Sequence, residues 1–204
     1  MGNRAIIKSE SNNIGVYLHW NGDYTSVKSF LEYCKLKQYR DFDDPYGMAR
    51  FCQVVGNFFG GGLSIGIETN INEYRIEDYC LDNGIYIVKG WDIIRIVGKC
   101  YNDKYDLNQL LKMIDNRQPS TEQLGDFLDA VETPSDEIKI GDIAFIANYN
   151  GGYDKYKVIG FGEDRVINGR NVLNVPYIQH YDSASDNINN YIFEKTRICR
   201  VKRE

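Results

Sequence analysis

The sequence predicts an α+β protein in two parts, a mixed strand and helix domain over residues 1–132 and a small all-β module over residues 133–204. Three observations carry this. β-rich runs and helical apolar stripes alternate as far as Leu128; Thr133-Pro134-Ser135-Asp136 interrupts that pattern; and from Ile138 onward short β-rich runs stand between Gly, Asn and Asp clusters with no helical periodicity.

In chain order, Ala5 to Ile7 and Ile14 to Trp20 flank Ser11-Asn12-Asn13, which reads as a hairpin. Val27, Phe30, Leu31 and Cys34 then recur at the spacing of a helix with one buried stripe. Asp43 and Asp44 before Pro45 supply an N-cap and a proline at the first helical position. The helix they open carries Met48, Phe51, Cys52, Val55 and Phe59 and must end at Gly60-Gly61-Gly62. Leu63 to Glu68, Ile85 to Val88 and Asp92 to Val97 are strands, the last two broken by Lys89-Gly90-Trp91. Asp106 opens a helix through Leu107, Leu110, Leu111 and Ile114 that stops at Pro119; a capping box from Ser120 to Gln123 opens another with Leu124, Phe127 and Leu128. That helical pair is expected to bridge the two halves.

The last third holds runs at Ile143 to Ala147, Lys155 to Phe161, Val172 to Ile178 and Tyr191 to Val201, with Asn150-Gly151-Gly152 as a hairpin turn. Strands so short and numerous suit a closed barrel, which removes exposed edges. Ile140-Gly141-Asp142-Ile143 and Val158-Ile159-Gly160 resemble Src-homology-3-like barrels, a likeness confined to this third.

Composition narrows function. A chain of 204 residues, 43% apolar and 13% aromatic, buries a real core, and a net charge of −5 argues against a surface that tracks nucleic acid throughout. There is no run of 18 apolar residues, and Met1-Gly2-Asn3-Arg4 leads into Ala5-Ile6-Ile7 without a signal-peptide core, so a cytoplasmic protein without membrane contact is expected. Gly2 does not read as a myristoylation site, because position 6 is Ile6. Cys34, Cys52, Cys80, Cys100 and Cys199 are odd in number and unpaired in spacing, so they read as core hydrophobes. With two histidines in the chain, neither a metal nor another cofactor is expected. The G-x-x-x-x-G-K-[ST], G-x-G-x-x-G and G-x-S-x-G signatures are absent, and a non-enzymatic protein is the expectation.

Three segments invite a functional reading. His19-Trp20-Asn21-Gly22-Asp23 gathers an imidazole, an indole, an amide and a carboxylate at a strand end, a candidate binding site to which Asn57 is added. The simpler account makes Trp20 a core residue and Asn21-Gly22-Asp23 a turn that caps the next helix. Asn57-Phe58-Phe59-Gly60-Gly61-Gly62 looks like a phosphate cradle, but its glycines follow a helix, the wrong polarity for an anion. Lys195, Arg197, Arg200, Lys202 and Arg203 form a basic last strand, a candidate DNA or phosphate contact; a charged edge strand that resists aggregation is the plainer account. The sixteen tyrosines suit protein interfaces as well as base stacking.

Met1-Gly2-Asn3-Arg4-Ala5, Tyr17-Leu18-His19-Trp20-Asn21-Gly22, Phe30-Leu31-Glu32-Tyr33-Cys34 and Gln53 to Gly61, with Asp82 to Ile87 and Gly169 to Leu173, resemble a widespread family of phage and mobile-element proteins of gut Firmicutes. The likeness spans nearly the whole chain. Family members continue the Asn-Gly segment with a second glycine where this chain has Asp23. The resemblance, linked to type II-A anti-CRISPR proteins, implies a non-enzymatic protein that evades host defence by inhibiting an RNA-guided effector nuclease, with auxiliary DNA contact. It assigns no catalytic residue. Two other classes compete: a protein that sequesters a nucleotide-like ligand in a pocket between the halves with His19, Trp20 and Asn57, and a small hydrolase with His19 or His180 as base.

Overall fold

The computed structural model describes residues 2–62, 64–101, 105–147, 152–161, 165–167, 170–172, 176–180, 188–190 and 198–203. The chain is mixed α and β and divides into two compact units, residues 1–123 and 124–204. Residues 124–132, whose apolar pattern reads as helical, thus belong with the second unit.

In the first unit, β1 (Ala5–Ser9) and β2 (Ile14–Leu18) form the expected hairpin, with Ala5 opposite Leu18. Two helices follow, α1 (Tyr24–Leu36) and α2 (Pro45–Phe58), each begun by an aspartate. Asp23 accepts the Ser26 amide at α1 and Asp44 the Tyr46 amide at α2, filling donors that a helix start leaves open. The glycines end α2 as their backbone freedom allows: Gly60 and Gly61 have φ of 66° and 81°, and their amides return to Asn57 O and Gly56 O. Then come β3 (Ile65–Thr69), a 3-10 segment (Glu73–Tyr79), the hairpin of β4 (Ile85–Lys89) and β5 (Asp92–Val97), and α3 (Leu107–Asp115).

The five strands form one sheet in the order β3-β2-β1-β4-β5. β1 and β4 run parallel, Ile6 beside Ile85, while the other neighbours are antiparallel. Alternation along the strands separates two cores. One joins Ile6, Ile71, Ile85 and Ile87 with Tyr17, Ile76, Tyr79 and Leu81 beneath the 3-10 segment. On the helix side, Phe30 meets Phe58 at 5.2 Å and Phe42 meets Phe51 at 5.2 Å, edge to face. The three fully buried rings, Phe30, Phe42 and Phe51, each contribute about 1.5–3 kcal/mol.

The expected bridging pair of helices is not formed. α3 packs on α1 and α2 within the first unit, and the sequence after it makes 3-10 turns at Ser120–Glu122 and Gly125–Asp129. Gly125 with φ of 54° sits where a continuous helix would have to pass.

The second unit has β6 (Val131–Pro134), a 3-10 turn (Ser135–Glu137), β7 (Ile143–Ala147), β8 (Tyr153–Phe161), β9 (Arg165–Ile167), β10 (Arg170–Val172), β11 (Pro176–His180), β12 (Ile188–Asn190) and β13 (Ile198–Lys202). β9 and β10 pair with each other; the rest form an antiparallel sheet in the order β12-β11-β8-β7-β13-β6. Among the described residues no pairing joins β12 to β6, so this is an open sheet and the expected closed barrel is not found. Strand number alone does not fix closure, which depends on stagger and tilt. The run Val172 to Ile178 falls in two strands with different partners, Val172 in β10 and Pro176 to Ile178 in β11; of Tyr191 to Val201 only Ile198 onward, in β13, is among the described residues. β7 and β8 pair as expected, though Asn150 and Gly151 of their turn lie outside the described residues. Of the cysteines, Cys34 is buried, Cys52 and Cys100 are half-buried, and Cys80 is exposed, contrary to a core role for all; the Cys199 side chain lies outside the described residues. Among the described residues no helix is long and apolar enough to cross a membrane.

Candidate functional site

The segment after β2 splits into two parts with different tasks. His19 is fixed through its backbone, its amide donating to Ser64 O at 2.9 Å and its carbonyl accepting from the Asn3 amide at 3.2 Å. Its ring shares the face of Tyr17, two residues earlier, and the Tyr17 hydroxyl stands 3.1 Å from His19 Nδ1. Trp20 meets the imidazole edge to face at 5.0 Å and is 44% exposed, so it is not the core residue that the plainer account made it. The result is a run of three rings, Tyr17, His19 and Trp20, mounted on a strand end and reaching solvent.

Arg4 and Asp82 border this run. Asp82 Oδ2 accepts from Arg4 Nε at 2.9 Å and from the Arg4 amide at 3.0 Å, and Oδ1 accepts from Arg4 Nη2 at 3.3 Å. Hydrogen bonds from the Arg4 side chain and amide hold the Asp82 carboxyl below its ordinary range. Burial pushes the Tyr17 hydroxyl up, Arg4 opposes this, and Asp82 and Glu68 add to it. Tyr17 therefore stays a neutral phenol beside the imidazole at neutral pH.

Asn21, Gly22 and Asp23 turn inward instead. Asn21 adopts φ of 55° and bonds Ser26 Oγ at 3.3 Å. A Cβ on Gly22 would stand 2.6 Å from Asn3 O and 2.7 Å from Ala5 Cβ, so glycine is required for the chain to pass. Asp23 is 2% exposed, with one oxygen on the Ser26 amide at 2.9 Å and the other on Asn3 Nδ2 at 3.1 Å. Asn3 Oδ1 accepts from Asn83 Nδ2, whose own oxygen accepts the Tyr101 amide at 3.0 Å, and the Tyr86 hydroxyl donates to Gly22 O at 2.8 Å. These groups spend their hydrogen bonds on the fold.

Asn57 is placed in the helix layer. Its Nδ2 donates to Gln118 Oε1 at 2.9 Å, and Gln118 Nε2 reaches Val54 O and Ile114 O, tying α2 to α3. The structure thus brings His19 and Trp20 together, sets Asn21 and Asp23 behind them as a cap, and gives Asn57 a structural partner.

The described cations of the basic strand, Arg200, Lys202 and Arg203, stand beside carboxylates of their own unit. Lys202 Nζ lies 2.7 Å from Asp126 Oδ1, and Lys155 bonds the other oxygen at 3.3 Å. Hydrogen bonds from Lys202, ahead of the opposing burial, hold the Asp126 carboxyl below its ordinary range, with Lys155 adding to the effect. Arg200 is 3.7 Å from Glu132 and its guanidinium stands over the Phe127 ring at 4.9 Å. Arg203 is 3.8 Å from Asp142 and donates to Glu137 O. Lys195 and Arg197 lie outside the described residues, as does the side chain of His180.

Tyr17, Arg4 and Asp82 are additions that sequence reasoning missed. Period-two spacing from His19 back to Tyr17 was the available signal; nothing in the sequence marks the 78-residue step from Arg4 to Asp82. Chemically, the ring run offers apolar faces, a phenol and an imidazole on a rigid mount, and the hydrogen-bond partner of the imidazole is a phenol rather than a carboxylate, hydroxymethyl or thiol. Compared with protein-family models, curated proteins and solved structures, the chain matches none of them.

Proposed function

We propose that the protein works by binding rather than by catalysis, through a protein partner that docks on the Tyr17–His19–Trp20 surface. The single observation that carries this is the exposed Trp20 ring braced at 5.0 Å by His19, which the Tyr17 hydroxyl contacts at 3.1 Å. Aromatic side chains with a polar tip, already ordered before contact, lose little entropy on binding and dominate interface energetics. A hydrolase reading needs a nucleophile or carboxylate against His19, and Asp23 is committed to capping α1.

The partner is an RNA-guided effector nuclease in the host cytoplasm, the class implied by the resemblance carried on Tyr17 to Gly22 and Gln53 to Gly61. An auxiliary DNA contact by the last strand takes the form of exchange, phosphates replacing Asp126, Glu132 and Asp142 as the neighbours of Lys202, Arg200 and Arg203. The test is target-DNA cleavage by a purified type II effector titrated with this protein, with complex formation followed by size-exclusion chromatography. Inhibition with co-elution supports the reading; neither, across several effectors, removes it.

A further inference from the structure

The two edges of the first sheet differ. β5 has the usual protections of an edge, with exposed Asp92 and Arg95 and a register irregularity between Ile87 and Val88 where it meets β4. β3, Ile65-Gly66-Ile67-Glu68-Thr69, has no lysine, no proline and an unbroken register against β2. It leaves Ile67 57% exposed, with Ile14, opposite Thr69, at 41%; β5 exposes Ile94 at 47%, but at its register irregularity and between charged residues.

The ladder fixes which backbone groups of β3 are free. The His19 amide bonds Ser64 O, and the register continues as Tyr17 to Gly66 and Gly15 to Glu68. Antiparallel pairs alternate between bonded and non-bonded, so Gly66 and Glu68 turn their N–H and C=O toward β2, while those of Ile65, Ile67 and Thr69 point to the open edge.

This strand complements itself. Turned about a two-fold axis through Ile67, it sets Ile67 against Ile67 of the second copy and Ile65 against Thr69, the residues with outward backbone groups. Glu68 then falls opposite Gly66, so no carboxylate meets another. Ile65, Ile67, Thr69 and Ile14 share the helix-bearing face with Val16 and Leu18, so both copies would close their exposed isoleucines over the same seam.

We propose that the protein forms a two-fold homodimer by antiparallel pairing of β3 with β3 of a second copy, centred on Ile67, which joins two five-stranded sheets into one of ten.

The test is sedimentation equilibrium of the full chain over a concentration series, with three variants. Ile67→Pro removes an amide hydrogen that faces outward, a change an edge strand tolerates, and is expected to give a monomer. Gly66→Lys and Gly66→Glu probe the register. A Cβ at Gly66 meets Tyr17 Cδ1 at 3.6 Å, ordinary contact, so both variants are expected to fold, which circular dichroism checks. Lysine opposite Glu68 of the second copy should tighten the dimer and glutamate should loosen it, each by roughly 2- to 30-fold in dissociation constant across the two symmetric pairs. A native chain that stays monomeric throughout the series overturns the proposal. So does a dimer whose dissociation constant moves the same way, or not at all, in the two Gly66 variants, whatever Ile67→Pro does.

Discussion

Lys8 Nζ lies 3.0 Å from Glu73 Oε1, with the lysine side chain 6% exposed, so the middle strand of the first sheet holds the 3-10 segment by a nearly dry ion pair. Arg95 from β5 reaches the other oxygen of Glu73. Glu73→Gln should cost about 2–3 kcal/mol, because it leaves the Lys8 ammonium desolvated with a weaker partner; full burial of both partners would raise that to ~3–5 kcal/mol. Lys8→Met should cost less, within ~1 kcal/mol of the native chain, since it removes the ammonium with its desolvation penalty and leaves Glu73, 20% exposed, still paired with Arg95. Urea unfolding of both variants checks the asymmetry.

The same carboxylate makes the fold acid-sensitive. Burial pushes Glu73 up, but hydrogen bonds and charge from Arg95 and Lys8 outweigh it and leave its folded value below the ordinary one. A carboxyl lowered by folding contributes stability above its unfolded value, and the contribution is lost as pH falls through the folded value. Asp43, Asp82 and Asp126 are lowered too. Stability should therefore fall as pH drops below about 4 and change little between 5 and 8 from these groups. Urea midpoints across that range measure it.

Asp23→Ala should destabilise by about 1–3 kcal/mol, as the loss of a helix cap adds to an unsatisfied half-buried side-chain amide on Asn3. Asp23→Ser should recover part of this, because a hydroxyl still caps α1. Circular dichroism with urea midpoints separates the two.

Trp20→Ala should lower partner affinity by about 2 kcal/mol or more while moving stability by under ~1 kcal/mol, given its exposure. Calorimetric titration against the type II effector of the proposed function, with thermal unfolding as the control, reads both. Equal affinity would take the ring run out of the interface.

Gly47→Ala should be the most damaging small substitution. Its Cβ would stand 2.0 Å from Asp41 O and 2.2 Å from Arg40 O, backbone atoms that cannot turn aside. A cost above the ~1–3 kcal/mol of ordinary overpacking is expected, read as loss of soluble folded protein or a large fall in the urea midpoint.

Local chemistry was legible in the sequence. The Ser11-Asn12-Asn13 turn, the Val27–Cys34 stripe, the cap at Asp44 and the glycine stop after Phe59 all depend on neighbours within a few residues. The parallel pairing of β1 with β4 was not, because an extended apolar run carries no mark of its partner. The 3-10 segment escaped for the same reason: Glu73 and Ile76 are held by Lys8, Arg95 and Ile6, all remote in sequence. At the candidate site, residue types pointed to His19 and Trp20, but whether Asp23 faced solvent or capped α1 depended on Asn3, twenty positions upstream. Asn57 belonged to Gln118, a contact between two helices that spacing does not reveal.

The parallel pairing also sets a timetable. Ile6 must wait for Ile85, 79 residues later, before the centre of the sheet can close. At about 5–20 residues per second on the ribosome, the nascent hairpin of β1 and β2, complete at Leu18, spends on the order of 3–13 s before Ile85 is made, and a two-stranded ribbon alone is barely stable in water. Throughout that interval Ile6 and Lys8, both sealed in the finished molecule, are open to chaperones and proteases, so a chain cut short before β4 should be degraded rather than accumulate as a smaller folded protein.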